Sequence, residues 1–128
     1  MIFVKGYTCL ETGDIVFKVS GHAGSAPEGE DLICAAASAY AEQAILIARA
    51  LYKEGKLRKR PRISEEIGRV VVVMRPKCFC LSPEDMTLDD EFEYAEIVAE
   101  VRTVVSGFDF LTKKYPKFIK LEDDIHNC

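Results

Sequence analysis

One histidine and one cysteine stand near each other in the first third of the chain, on either side of a turn-rich segment. His22 follows a β-rich run, and Cys34 lies at the start of an Ala-rich run that predicts a helix. A cysteine at a helix N-terminus meets unpaired N–H groups and the positive end of the helix dipole, which favour the thiolate. A nearby imidazole can act as its base or as its imidazolium partner. The pair is therefore a candidate for nucleophilic catalysis.

Two further side chains belong to the candidate site. We expect the helix to begin at Leu32 with Asp31 as its N-cap, which makes Cys34 the third helical residue. Ser38 follows Cys34 by one turn on the same helix face and could support the site. Contact between Asp31 and the thiol would raise the thiol pKa, so we expect Asp31 to face the helix amides or His22. The alternative for each residue is purely structural, because cysteine is often just a buried space-filling residue.

The same stretch resembles the bacterial ribosomal-processing cysteine protease family. Members pair a G-H-A segment with a G-x-D-x-x-C-A-A-x-S segment, and this chain carries GHA from residue 21 and GEDLICAAAS from residue 29. Ala37 stands where valine is more usual in the family. A starting hairpin, two long helices and a closing Tyr115-Pro116 before a last strand extend the resemblance over nearly the whole chain.

The resemblance implies a cysteine endopeptidase with Cys34 as nucleophile, His22 as base, and Asp31 and Ser38 in support. We expect no cofactor, and no metal because the candidate ligands are scattered along the chain. The resemblance also implies a homodimer and a substrate, the N-terminal extension of large-subunit ribosomal protein number twenty-seven, cut after a pair of aromatic residues. An apolar groove near Cys34 is expected. A non-catalytic ribosome-associated binding protein is the alternative. A thiol-transfer protein is disfavoured because Cys34 has no C-x-x-C partner.

Length and composition favour one ordinary domain over residues 1–128. The chain has 128 residues, of which 48% are hydrophobic and 30% charged. A net charge of -4 disfavours a nucleic-acid binder, except indirectly through the ribosome. The five cysteines cannot all pair within one chain, and no signal peptide is recognisable. No apolar run approaches the roughly 20 residues of a membrane helix. We therefore expect a cytoplasmic protein without membrane contact.

The hydrophobic pattern predicts an α+β fold, with a mixed sheet of about four or five strands covered by two long helices. The strand from 68 to 74 is continuously apolar, which predicts burial on both faces or a place at the sheet centre. The expected elements are strands over 2–10 and 15–20, a helix from Leu32 to about Glu54 stopped by Gly55, a short strand at Ile63, the strand over 68–74, a helix from the capping box Thr87–Asp90 to about Lys114, and a strand over 118–122 before a polar tail.

Four other features have two interpretations each. The segment Gly24–Glu30 is either a lid over the site or an exposed connection. The basic run Lys56–Arg62 is a solvated connection or a patch for an acidic partner or ribosomal RNA. Cys78-Phe79-Cys80 is an extended packing segment or, less favoured, part of a zinc site. Gly107 allows close packing or a bend in the second helix. Cys9 is expected to pack within the first strand, and His126 in the tail is a poor catalytic candidate.

Overall fold

The computed structural model describes residues 1–21, 28–77 and 84–126, with only the backbone for 28–31. Five strands form one sheet in the order β3-β4-β2-β1-β5. It is mixed, because β5 runs parallel to β1 while the other neighbours are antiparallel. This confirms the predicted α+β fold. The elements are β1 (Ile2–Thr8), β2 (Ile15–Ser20), α1 (Glu28–Lys53), β3 (Arg62–Glu66), β4 (Arg69–Met74), α2 (Leu88–Lys114) and β5 (Ile119–Asp124).

Both helices cover the same face of the sheet, and the core lies between them and that face. The inward residues of the central strands are buried, while Phe3 on the opposite face is 53% exposed. In β4, Val72 and Met74 are buried but Val71 and Val73 are only half-buried. The expectation of burial on both faces of β4 is therefore wrong, because the described helices cover one face. The alternative, a place at the sheet centre, is approached: β4 lies inside the sheet between β3 and β2, and β2 is the central strand.

Helix α1 begins four residues earlier than the sequence analysis predicts, at Glu28 instead of Leu32. The first turn is rich in acidic residue types, which interact favourably with the positive end of the helix dipole. Asp31 is the fourth residue of α1, so its assignment as N-cap is wrong. The predicted stop is confirmed, because Gly55 has a φ of 78° and closes a Schellman motif. In that motif Gly55 N–H donates to Tyr52 O at 3.0 Å and Lys56 N–H donates to Leu51 O at 3.0 Å.

Helix α2 has the predicted ends. The amide of Asp90 donates to Thr87 Oγ1 at 3.2 Å and the amide of Thr87 donates to Asp90 Oδ2 at 2.9 Å, which completes the capping box. Tyr115 is the C-cap. Gly107 lies against the ring of Tyr40, and a Cβ there would fall 2.6 Å from Tyr40 Cζ. The glycine therefore allows the two helices to pack closely.

The basic run Lys56–Arg62 is held to the fold at several points, so it is more than a solvated connection. Arg58 donates to Asp14 Oδ1 at 2.9 Å, and Arg75 Nε lies 3.5 Å from Asp14 Oδ2. Leu57 is only 5% exposed. One carboxylate in the β1–β2 turn thus joins the segment after α1 to the end of β4.

The C-terminal segment is ordered further than the predicted polar tail allows. Strand β5 continues to Asp124. Ile125 is 3% exposed and fills the space beside Gly6, where a Cβ would lie 2.9 Å from Ile125 Cδ1. His126 N–H donates to Thr8 Oγ1 at 3.0 Å. Both residues are therefore tied to the end of β1.

By length and composition alone, residues Leu32–Lys53 of α1 could cross a membrane, contrary to the expectation from the sequence. The core helix of a globular domain passes the same test. Here that helix supplies Ile33, Ala44, Ile45 and Ala48 to the core, each at most 4% exposed.

Candidate active site

A cavity of about 270 Å³ lies between the first half of α1 and the sheet. The helix contributes Cys34, Ser38 and Glu42, with small residues between them. The sheet contributes an apolar floor that includes Val19 and Val70. Among the described residues, the lining consists of Ile2, Val19, Gly21, Cys34, Ala37, Ser38, Ala41, Glu42, Glu65, Glu66, Gly68, Arg69 and Val70.

Cys34 is half-buried and packs against the core at one end of this cavity. It is the seventh residue of α1, not the third, because the helix starts at Glu28. The unpaired amides of the first turn belong to residues 28–31, so Cys34 lies one turn beyond them. The helix fixes the Cys34 backbone, since its N–H group falls within the regular helical ladder.

Ser38 is exposed and lines the same cavity as Cys34, one turn further along α1. This confirms that the two side chains share a helix face. Glu42 follows by another turn and also lines the cavity. Sequence reasoning missed Glu42, although its spacing of four residues from Ser38 was a usable signal. The side chain of Asp31 lies outside the described part of the chain, so its role remains a prediction.

His22 also lies outside the described residues, but the residue before it is at the cavity wall. Gly21 lines the cavity, and its N–H donates to Gly68 O at 2.9 Å. Its φ is 100°, and a Cβ there would overlap the carbonyl oxygen of Met1. Only glycine fits this position without strain. The pairing of His22 with Cys34 remains a prediction.

Two other sequence features fall wholly or partly outside the described residues. The segment Gly24–Glu30 is not a loop throughout, because Glu28–Glu30 belong to α1. Residues 24–27 and the pair Cys78 and Cys80 are not described, so the lid and zinc hypotheses are untested there. Within the described ranges, no group of three or more His, Cys, Asp or Glu residues could hold a metal ion.

Away from the cavity, the hairpin turn holds Cys9, whose pKa is lowered. Cys9 lies after β1 in the hairpin turn, not in the strand as predicted, and it is half-buried. A hydrogen bond from the side chain of Thr12 lowers the pKa of Cys9, with further contributions from the amides of Thr12 and Glu11. Cys9 is not among the residues that line the Cys34 cavity.

Residues 1–120 match the family model of the cysteine protease Prp. The chain belongs to this family. It is accordingly a cysteine protease, and the resemblance deduced from the sequence motifs is confirmed. No curated protein is significantly similar to the chain in sequence.

Solved structures with the same fold include two of the essential ribosomal processing protease Prp from S. aureus. The complex with a substrate peptide has a TM-score of 0.61 at 20% identity, and the complex with a covalently linked product peptide has 0.59 at 21%. Each match covers 97% of this chain and 100% of the other. SMU.848 from Streptococcus mutans matches with a TM-score of 0.58 at 19% identity, over 98% of this chain and 96% of that one.

Proposed function

We propose that this protease removes a short N-terminal extension from large-subunit ribosomal protein number twenty-seven by a Cys–His mechanism. One observation carries the proposal: Cys34 and Ser38 line a single cavity with Gly21, the residue immediately before His22. A Cys nucleophile and a His base must approach within hydrogen-bond reach, and the chain reaches the wall of the Cys34 cavity at Gly21, one residue before His22. Family membership supports the peptidase activity, and the ribosomal substrate rests on the motif resemblance.

In the proposed reaction the Cys34 thiolate attacks the carbonyl carbon of the scissile peptide bond. The S–C bond forms, the C–N bond breaks, and the His22 imidazolium gives its proton to the leaving amine. Water then attacks the thioester with His22 as base, which releases the carboxylic product and restores the thiol. Backbone amides near the start of α1 are candidates for binding the oxyanion.

The cavity also suits a substrate side chain beside the scissile bond. Ala37 and Ala41 leave room next to Cys34, and Ile2, Val19 and Val70 supply an apolar floor. Burial of an aromatic side chain on such a floor contributes about 2 kcal/mol of binding free energy. This agrees with the cut after aromatic residues that the resemblance implies. The S. aureus relative whose structure was solved with a substrate peptide is itself a ribosomal processing protease.

The test is a mass-spectrometric cleavage assay on the full-length ribosomal protein from the same organism. Wild type should remove its N-terminal extension, and both Cys34→Ala and His22→Ala should lose the cut by at least about a thousandfold, because each removes a member of the catalytic pair. Cys9→Ser is the matched control and should cleave normally.

Cleavage that survives Cys34→Ala would refute the nucleophile. No cleavage of an extended substrate by wild type would refute the proposed substrate. Binding of ribosomal particles that is unaffected by Cys34→Ala would then favour the ribosome-associated binding protein instead.

A further inference from the structure

We infer that the substrate lies as an extended strand along the free edge of β3, and that Glu42 and Glu65 select a basic side chain three to four residues from the scissile bond. The inference rests on the proposed function, because it takes Cys34 as the nucleophile. It concerns the cavity at Cys34 and the groove that leads away from it.

Strand β3 is at the edge of the sheet and pairs with β4 alone. A two-residue loop joins Glu66 to Arg69, and these two residues are register partners. The two residues of such a pair hydrogen-bond to each other through both of their backbone groups. Along an antiparallel ladder, hydrogen-bonded pairs alternate with pairs that are not hydrogen-bonded to each other. The N–H and C=O groups of Ile63 and Glu65 therefore point to the free edge. An extended peptide can add to them as a further strand.

The groove between β3 and α1 has a cavity at each end. Glu65 faces the helix layer and lines the Cys34 cavity with Glu42. At the other end, Ile63 lines a second cavity of about 430 Å³ with Arg49 and Tyr52 of α1. Strand β3 and helix α1 are therefore antiparallel along the groove. A peptide that pairs with β3 would be led to the Cys34 cavity.

Cys34, Ser38 and Glu42 form one stripe on α1, each separated by a turn. Eight residues separate Cys34 from Glu42, which corresponds to about 12 Å along a helix. An extended chain advances about 3.3 Å per residue, so Glu42 lies beside a substrate residue three to four positions from the bond at Cys34. Glu65 lines the same space from the opposite side of the groove.

The chemistry of this space fits a lysine or arginine side chain. Glu42 and Glu65 come from different elements, and within the described part of the chain neither forms an ion pair with a cation. The described lining also includes Glu66 and one cation, Arg69, so its carboxylates outnumber its cations. The apolar floor nearby, which includes Val70, can accept the methylene stem of a basic residue, while the carboxylates accept its charged head. An acidic residue at the same substrate position would meet like charges.

The test scans an otherwise neutral, fluorescence-quenched peptide with lysine, its uncharged isostere norleucine or glutamate at each position on both sides of the scissile bond. Wild type should prefer lysine by about fivefold in kcat/KM at the third or fourth position, as expected for one or two partly exposed ion pairs. Glu42→Gln with Glu65→Gln should abolish that preference, and Glu42→Lys with Glu65→Lys should reverse it in favour of glutamate. Glu100→Gln, an exposed site on α2, is the matched control and should retain it.

Binding of the same peptides to the Cys34→Ala protein, measured by fluorescence anisotropy, separates this inference from the proposed chemistry. A preference for lysine in binding without any cleavage by wild type would refute the peptidase mechanism and support the groove. Equal binding and cleavage of the lysine and norleucine peptides at every position would overturn the assignment of Glu42 and Glu65.

The strand pairing has its own readout. N-methylation of the peptide backbone should weaken binding at alternate positions, because only every second amide of an added strand faces β3. Weakening that is uniform along the peptide, or none at all, would overturn the pairing with β3.

Discussion

Gly21 and Gly55 both have positive φ angles, of 100° and 78°, but their surroundings differ. A Cβ on Gly21 would overlap Met1 O, whereas a Cβ on Gly55 would have no heavy atom within 4 Å. Gly55→Ala should therefore cost only the backbone strain, about 1 kcal/mol of unfolding free energy. Gly21→Ala should cost more, about 2–3 kcal/mol, and should lower peptidase activity because it displaces the wall of the Cys34 cavity.

Urea denaturation measures both losses, and activity should be compared at a temperature where both variants remain folded. Gly55→Ala is the control, because it introduces the same strain far from the cavity. Equal destabilisation of the two variants with equal activity would contradict the role assigned to Gly21.

The hydroxyl of Thr12 acts on the thiol of Cys9. Its side-chain hydrogen bond is the largest cause of the lowered pKa of Cys9. Thr12→Val removes the hydroxyl and keeps the shape, so the pKa of Cys9 should rise and its thiolate fraction near pH 8 should fall. Alkylation of Cys9 by iodoacetamide, followed by peptide mass mapping, should slow several-fold. Thr12→Ser should retain the wild-type rate. An unchanged rate in Thr12→Val would show that the hydroxyl does not act on the thiol.

The roles of residues could be predicted only where a local sequence pattern indicates them. The motif around Cys34 and Ser38 identified two cavity residues because helical spacing places them on one face. Gly21 was also indicated, because it opens the GHA segment of the same motif. Glu65 reaches the cavity only through the pairing of β3 with β4, and this long-range pairing has no local signature, so its place in the site could not be predicted.

At the scale of elements, the contact between Gly107 of α2 and Tyr40 of α1 sets how closely the two helices pack. The ring of Tyr40 also packs on Phe108, with centroids 5.5 Å apart. Gly107→Ala gains about 1 kcal/mol of helix propensity but forces the ring to move, at about 1–3 kcal/mol. We expect net destabilisation. In a Tyr40→Ala background the same change should become stabilising, because the obstructing ring is absent.

A double-mutant cycle by chemical denaturation measures this coupling. A coupling energy of at least about 1 kcal/mol supports the contact. If the effects of Gly107→Ala and Tyr40→Ala add independently, the close approach of α1 and α2 at Gly107 is contradicted.

The boundaries of the two helices were predicted with unequal accuracy. The capping box Thr87–Asp90 and the stop at Gly55 are local signals with a direct hydrogen-bonding role, and both were identified correctly. The start of α1 was placed too late because Asp31 is a good cap residue by type. Its neighbours Glu28 and Glu30 suit the first turn as well, so the acidic run alone does not fix the boundary.

At the scale of the molecule, hydrophobic periodicity was enough for the fold class but not for the exposed side of the sheet. The apolar run of β4 predicted either two buried faces or a place at the sheet centre, and the described elements cover only one face. The uncovered face includes Phe3, 53% exposed, and half-buried Val71 and Val73. An apolar patch that a monomer leaves in contact with water is typical of an interaction surface.

We expect this face to join two copies of the chain, in line with the homodimer that the family resemblance implies. A two-fold interface is self-complementary, and the face carries charges of both signs, including Lys18 and the ion pair between Lys5 and Glu122 at 3.5 Å. Light scattering after size exclusion should give about twice 14.3 kDa. Val73→Asp should shift the mass to that of a monomer, because it places a charge beside the apolar side chain of Val16 on this face. Phe110→Asp, at an exposed site of α2, should leave the mass unchanged. A monomeric wild type would exclude this interface. A dimer that tolerates Val73→Asp and dissociates with Phe110→Asp would place the interface elsewhere.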